Sequence, residues 1–517
     1  MTAATERYPL LKQIFGHSEF RGGQQQIVDA LLSGRDVMCI MPTGAGKSMC
    51  YQLPALMMEG VTLVISPLIS LMKDQVMALC QMGISAAYIN SSLTASQIIK
   101  ATQRALLGQY KIVYVAPERL DTPDFLAFAM SGQISMVTVD EAHCVSQWGQ
   151  DFRPSYLRIK EFLDRLPVRP ILSAFTATAT QRVRQDILTL LSLRDPCVLT
   201  SGFDRPNLCF LVQQPKNKFD ALLDFLEGRE MLSGIVYCTT RKLVEEVTER
   251  LIEQGYSAAR YHAGLPDEER VRNQEAFAFD EVRIMVATNA FGMGIDKSNV
   301  SFVVHYNMPQ DLESYYQEAG RAGRDGEKAD CLMLYNKADV VLDRFLITQS
   351  RGNAELSDAE NNMLMERNLE RLRQMTFYAT TTDRCLRRFI LGYFGDDAPM
   401  RCGNCSVCLN MPYFVGKEVG KKKERRERQR RVGPPATLVA ADAPLYDVLV
   451  ALRGQMAREA KVPAYVIFTN ATLRDMAQKK PRTAAAMLGV SGVGNRKLAQ
   501  YGQLFMDAIT DHERRNE

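Results

Sequence analysis

From about residue 30 to residue 300, short β-branched runs alternate with longer amphipathic stretches, the pattern that successive βα units leave along a chain. This pattern predicts an α/β fold with parallel sheets. Expected strands are Asp36 to Met41, Thr62 to Ser66, Ile112 to Ala116, Met136 to Asp140 and Ile171 to Thr176, then Ser233 to Cys238, Ala258 to Tyr261, Arg283 to Ala287 and Phe302 to Tyr306. Two sets of strands predict two lobes. Between them Phe203 to Gln214, with Pro206 inside and Pro215 just beyond, is the expected hinge, because no long helix crosses such a stretch. After about Leu342 the periodicity turns helical, and the chain then becomes cysteine-rich and finally basic. Pro434, Pro435 and Pro444 set the basic tract apart from a last helical segment of about 75 residues.

The 517 residues are 46% hydrophobic and 24% charged, ordinary globular usage and enough chain for three or four domains. Leu53 to Met72 is apolar but broken by Glu59, Gly60 and Pro67, and Glu6 and Arg7 precede any apolar run, so neither a membrane span nor a signal peptide is expected. The expectation is a soluble intracellular protein with no membrane partner. The net charge of +4 is unevenly placed: Lys417 to Arg431 holds nine Lys/Arg against three Glu, which leaves the rest of the chain at −2. Eight of the twelve cysteines are scattered singly, mostly through apolar runs, and read as reduced core residues.

Chemistry is first visible at Met41-Pro42-Thr43-Gly44-Ala45-Gly46-Lys47-Ser48, which follows an expected strand and precedes a helical stretch. Glycines there let backbone N–H groups turn toward phosphate oxygens, the helix N-terminus adds its dipole, Lys47 reaches the outer phosphates and Ser48 suits Mg²⁺. The strict pattern has Gly where Met41 stands. Val137-Thr138-Val139-Asp140-Glu141-Ala142-His143 supplies the partner: a strand ending in two carboxylates, Asp140 for Mg²⁺ and Glu141 for the attacking water. A surface acid is the plainer reading of either residue alone, and pairing with Lys47 reverses it. In the second lobe Arg321 and Arg324, three apart and expected on one helical face, suit the charge that develops on a γ-phosphate; surface ion pairs are the alternative.

Read in order, Phe20-Arg21-Gly22-Gly23-Gln24, the phosphate loop, Ser66 to Gln75, the Asp140 to His143 box, Ser173 to Ala179, Val286 to Lys297 and Gln317 to Gly326 resemble the RecQ-type DNA helicases of superfamily 2. Val145 to Pro154, directly after the Asp-Glu-Ala-His box, is the more specific mark. The resemblance implies two RecA-like lobes, ATP with Mg²⁺, and a catalytic set of Lys47, Asp140, Glu141, His143, Arg321 and Arg324. It implies that Gln24 reads the adenine edge with Arg21 and His17 on the base, and that Thr43, Gly44, Ala45, Gly46, Lys47 and Ser48 hold the phosphates. Thr176 to Thr178 would link hydrolysis to the lobe interface, and Thr288 to Asp296 would face nucleotide and DNA. Ser66 would contact DNA. Trp148, the chain's one Trp, lies in a polar loop with Phe152 and Arg153, a set suited to stacking on bases and pairing with phosphate. Gln150 replaces the histidine usual in the family and cannot ionise.

Cys385, Cys402, Cys405 and Cys408 have the spacing of a closed Cys₄ site, the structural arrangement of zinc; an iron–sulfur cluster uses the same ligands. Resemblance to the RecQ zinc subdomain favours Zn²⁺. The commonest family layout continues into a winged-helix domain of about 100 residues, yet here only Leu409 to Ala436 precedes a segment resembling the helical HRDC domain. In that segment Tyr465, with Lys479, Lys480, Arg496 and Lys497, is expected on a DNA-binding face. Expected boundaries are 1–203 for lobe 1, 204–342 for lobe 2, 343–412 for the zinc subdomain, 413–436 for a basic linker and 437–517 for the HRDC-like domain.

The resulting expectation is an ATP-dependent helicase moving 3′ to 5′ on single-stranded DNA and unwinding tailed duplex, in DNA repair and recombination. Single-stranded DNA-binding protein and repair factors are expected partners, and the location is bacterial, cytoplasmic and nucleoid-associated. An RNA helicase, and an ATP-regulated DNA-binding or annealing protein with weak unwinding, are the alternatives.

Overall fold

The structure is a computed structural model and describes residues 3–149, 151–291, 297–349, 356–415, 443–460, 462 and 464–516. Among the described residues the strands form two seven-stranded sheets, every pairing parallel. The first contains β1 Val37–Ile40, β2 Val61–Ile65, β3 Ala86–Ile89, β4 Ile112–Val115, β5 Ile134–Val139, β6 Ile171–Thr176 and β7 Cys197–Thr200. Their order is β3-β4-β2-β5-β6-β1-β7. The second contains β8 Leu208–Pro215, β9 Ser233–Tyr237, β10 Ala258–Tyr261, β11 Ile284–Ala287, β12 Val300–His305, β13 Ala329–Leu334 and β14 Phe414–Val415, ordered β10-β11-β9-β12-β13-β8-β14.

Near-continuous apolar strands make sense in sheets covered on both faces. Along β1, Met38 and Ile40 join the core on one face with Phe125 and Phe162, while Val37 and Cys39 face Leu31, Tyr51 and Phe175 on the other. Met41, in the place of the usual glycine, is buried in that second core, and its N–H donates to the Thr176 carbonyl at 3.0 Å. A side chain is therefore accommodated there by the sheet.

The hinge is shorter than expected. Residues 208–214, expected in the hinge, belong instead to β8, which pairs with β13 and β14. Pro206 precedes the strand and Pro215 ends it, so neither interrupts its ladder. The linker that remains is gripped by the zinc subdomain. Buried Arg387 donates to Asp204 Oδ1 and to the Arg205 carbonyl, both at 2.6 Å, and also to the Leu208 carbonyl. Phe203 stacks on Phe394 with ring centroids 4.5 Å apart.

The helix Asp358–Thr380 starts at a Ser357/Glu360 capping box, and Leu386–Phe394 follows Cys385. In the HRDC-like region, Ala443–Ala460, Asn470–Lys479 and Gln503–Asn516 enclose Leu449, Phe468, Leu473, Met476 and Phe505. This region rests on both lobes: the Gly492 N–H donates to the Gly16 carbonyl at 3.0 Å, Asn470 donates to Asp325 at 3.3 Å, and Arg474 pairs with Glu327. No described helix is long and apolar enough to cross a membrane. The basic tract, Gln150 and most of Thr288 to Asp296 fall outside the described residues.

Candidate active site between the lobes

The phosphate loop joins β1 to the helix Lys47–Met57. Gly44 and Gly46 have φ of 84° and 82°, and an added Cβ on Gly46 would lie 2.7 Å from Gln24 Nε2, so a bare backbone is required there. Gln24 is buried; its amide donates to the Ala45 carbonyl at 2.9 Å and accepts from the Arg21 N–H at 2.9 Å. It therefore braces the loop. His17 lines the cavity above, and burial, reinforced by Arg21 and Lys12, pushes its pKa down to about 4. It is a neutral ring at physiological pH.

Asp140 and Glu141 stand where β5 ends. Glu141 adopts φ 48° and ψ 47°, a left-handed conformation costing a side-chain-bearing residue about 1–3 kcal/mol, and its N–H donates to Asp140 Oδ1 at 3.0 Å. Burial, and then the neighbouring Glu141 carboxylate, push the Asp140 pKa up to about 7, against the pull of Lys47. Glu141 Oε2 is buried and makes no hydrogen bond. Two crowded carboxylates that line one cavity with Ser48 fit a divalent cation held by Asp140 and Ser48.

From this pair a line of contacts reaches the second lobe. His143 Nδ1 is 3.4 Å from Glu141 Oε2 and 2.8 Å from Thr176 Oγ1. Thr176 Oγ1 donates to the Thr178 carbonyl at 3.0 Å, and Gln317 Nε2 of lobe 2 donates to Thr178 Oγ1 at 3.0 Å. Burial holds the His143 pKa down. Arg321 and Arg324 line the same cavity as Lys47, Ser48, Asp140 and Glu141. They do not share a helical face as expected: the helix Leu312–Ala319 stops before them, and both lie in tight turns. Gly323, with φ 57°, makes that turn, since a Cβ there would collide with Asn207.

Sequence reasoning missed Arg205. It donates to the Thr43 carbonyl of the phosphate loop at 2.9 Å and to the Ala322 and Gly323 carbonyls of lobe 2 at 3.1 and 2.7 Å. Its only signal is a cation beside Pro206 in the linker.

Trp148 is half-buried and held between two guanidiniums, Arg182 at 3.3 Å and Arg367 at 3.5 Å from its ring centre. Arg371 donates to its carbonyl and Arg367 to that of Gln147, so the helix Asp358–Thr380 grips the loop. Arg153 forms a two-pronged pair with Asp151 at 3.0 and 2.9 Å, and Phe152 is half-buried beside it. Ser66, expected to contact DNA, is instead fully buried just after β2, and its hydroxyl has no partner among the described residues. Tyr465, Arg496 and Lys497, expected on a DNA-binding face, line the same cavity as Lys47 and Ser48.

The four cysteine sulfurs, Cys385, Cys402, Cys405 and Cys408, lie within 4.8 Å of one another, with Cys402 and Cys408 4.0 Å apart. Ligands at about 2.3 Å from a tetrahedral zinc are separated by about 3.8 Å, so the set fits Zn²⁺. Asn404 N–H donates to Cys402 Sγ at 3.3 Å, the kind of outer contact that holds a thiolate. The site is joined to lobe 2 by a Phe210–Cys405 bridge and by the Ser406 N–H on the Phe210 carbonyl at 2.9 Å.

Residues 21–187 match the DEAD/DEAH box helicase family model and 217–326 the helicase conserved C-terminal domain. Residues 337–409 match the RecQ zinc-binding family and 442–509 the HRDC domain. ATP-dependent DNA helicase RecQ of Bacillus subtilis is 37% identical across 98% of this chain and 98% of its own length. The protein of that name in Pasteurella multocida is 36% identical, across 98% of this chain and 94% of its own length. The Bacillus alignment spans 591 positions against 517 residues here, so the relative carries a sizeable stretch that this chain lacks. Among solved structures, the DNA-bound DUF1998 helicase MrfA overlays 64% of this chain and 51% of its own at TM-score 0.55 and 18% identity. The ssRNA-bound DEAD-box helicase Mss116 overlays 75% of this chain and 86% of its own at TM-score 0.54 and 16% identity. At such identities the overlays establish the two-lobe fold.

Proposed function

Because this chain belongs to the RecQ family of ATP-dependent DNA helicases, we propose that it binds ATP with Mg²⁺ between its lobes and moves 3′ to 5′ on single-stranded DNA, opening tailed duplex during repair and recombination. The observation that carries the reading is the line Glu141–His143–Thr176–Thr178–Gln317, which joins the carboxylate facing the cavity to the other lobe.

Lys47 and the loop N–H groups bind the phosphates, Glu141 orients the attacking water, and Arg321 and Arg324 meet the charge that develops on the γ-phosphate. Ser48 and Asp140 would hold Mg²⁺, which would supply positive charge against the same phosphates. Because the arginines and the phosphate loop sit on different lobes, the completed site depends on lobe geometry, and hydrolysis changes that geometry. The DNA strand is read beside it by Trp148, Phe152 and Arg153, the first of which must exchange an arginine for a base. The short interval between the zinc-binding match, which ends at residue 409, and the HRDC match, which begins at 442, supports a second reading, in which unwinding is weak and the ATPase regulates DNA binding or annealing.

Hydrolysis measured with equal lengths of single-stranded DNA and RNA tests the substrate class. At least tenfold stimulation by DNA with little by RNA is expected, and equal stimulation would instead favour an RNA helicase.

A further inference from the structure

The nucleotide cavity has a volume of about 520 Å³ and is walled on a third side by the HRDC-like region, through Tyr465, Thr469, Arg496 and Lys497. That wall is held from both lobes by the Gly16–Gly492, Asn470–Asp325 and Arg474–Glu327 contacts. Its fit to lobe 1 is close: a Cβ on Gly16 would lie 2.6 Å from the Gly492 carbonyl carbon, and one on Gly83 would strike the Arg496 guanidinium.

Lys497 is the informative residue of this wall. It is partly buried, its Nζ lies 5.7 Å from the Phe468 ring, and no carboxylate pairs with it among the described residues. Burial alone lowers its pKa to about 8, and its charge helps to keep His17 neutral. A desolvated cation without a counter-charge is costly unless an anion visits it. Among charged residues lining the cavity, Asp140 and Glu141 are outnumbered by Lys47, Arg321, Arg324, Arg496 and Lys497.

We propose that Lys497 is a nucleotide-binding residue, contacting the phosphate chain of ATP or ADP on the side nearer the base, so that the HRDC domain completes the site. The proposal rests on the reading of this cavity as the ATP site. By linkage, nucleotide then favours the docked HRDC domain as much as docking favours nucleotide.

The test is equilibrium binding of a fluorescent ADP analogue to the full chain without DNA, where no turnover occurs. Lys497→Gln should raise Kd about tenfold, which is about 1.4 kcal/mol and in keeping with one hydrogen bond to a charged group. Lys497→Arg should recover most of the affinity, and Lys100→Gln, on the exposed face of lobe 1, should leave it unchanged. Adenosine, which lacks phosphate, should not distinguish Lys497→Gln from the parent; an equal loss with adenosine would refute a phosphate contact. Glu327→Gln leaves the cavity lining intact but removes the Arg474 ion pair, and should weaken binding about threefold by loosening the wall. Amide exchange around Arg496 and Lys497 should slow on adding ADP in the parent but not in Lys47→Ala. Parent-like affinity in both Lys497→Gln and Glu327→Gln, with loss in Lys47→Ala, would overturn the proposal alone. Parent-like affinity in Lys47→Ala would overturn the ATP-site reading beneath it.

Discussion

At the scale of single residues, the site is set by groups held out of their usual states. Glu141, proposed above to orient the attacking water, carries a left-handed backbone and an oxygen without a hydrogen bond among the described residues. Glu141→Gln should lower hydrolysis by more than about a hundredfold while DNA binding stays within about twofold, read by turnover and by anisotropy of labelled DNA. Trp148, the chain's one Trp, reports its own environment. Adding single-stranded DNA should quench its fluorescence as a base replaces the Arg182 or Arg367 cation, and Trp148→Ala should cut DNA-stimulated hydrolysis about tenfold with basal hydrolysis nearly unchanged. Equal losses in both rates would make Trp148 a packing residue.

Asp343 offers a separate test of burial. Burial and then the nearby Asp339 charge push its pKa up to about 7, against a hydrogen bond from Gln310 and the charge of Lys218. The native state therefore holds a proton that the unfolded chain has released between about pH 4 and pH 7, and stability falls as pH rises through that window. Asp343→Asn should melt about 2–4 °C above the parent at pH 8 and show no difference at pH 4, as thermal scans would record.

At the scale of elements, the zinc segment matters through what it touches. The strand β14 that follows it extends the second sheet alongside β8, and Arg387 beside Cys385 clamps the linker between the lobes. Elemental analysis should find one zinc per chain in the parent and none in Cys402→Ser, whose melting temperature should fall by several degrees, with duplex opening lost more than basal hydrolysis. Full retention of zinc would remove Cys402 from the ligand set.

The phosphate loop and the Asp140–Glu141 strand end were legible in the sequence because each is a local motif at the end of an apolar run. β8 was read as hinge because its flanking prolines outweighed its apolar run, and β14, two residues long, exists only by pairing. Ala86–Ile89 is alanine-rich and lies at a sheet edge, so its strand signal is weak. The Arg205 clamp and the HRDC wall were not legible at all. Both depend on residues far apart in sequence meeting across domain surfaces: Lys497 and His17, both lining the cavity, come from opposite ends of the chain.

At the scale of the whole molecule, both lobes and the HRDC wall converge on one cavity, while the cysteine-bearing segment grips the linker between the lobes. Arg205 and Gln317 make polar contacts between the lobes beside the cavity. Gln317→Ala should therefore reduce DNA-stimulated turnover about tenfold while basal hydrolysis falls less than threefold, which a DNA titration of the ATPase would reveal. The central claim, that this chemistry drives one-way movement on DNA, is tested most directly by strand displacement on duplexes differing only in the end that carries a single-stranded tail. With ATP, the 3′-tailed duplex should be opened and the 5′-tailed one left paired, and Lys47→Ala should open neither. Opening of the 5′-tailed duplex in preference, or opening by Lys47→Ala, would contradict the account.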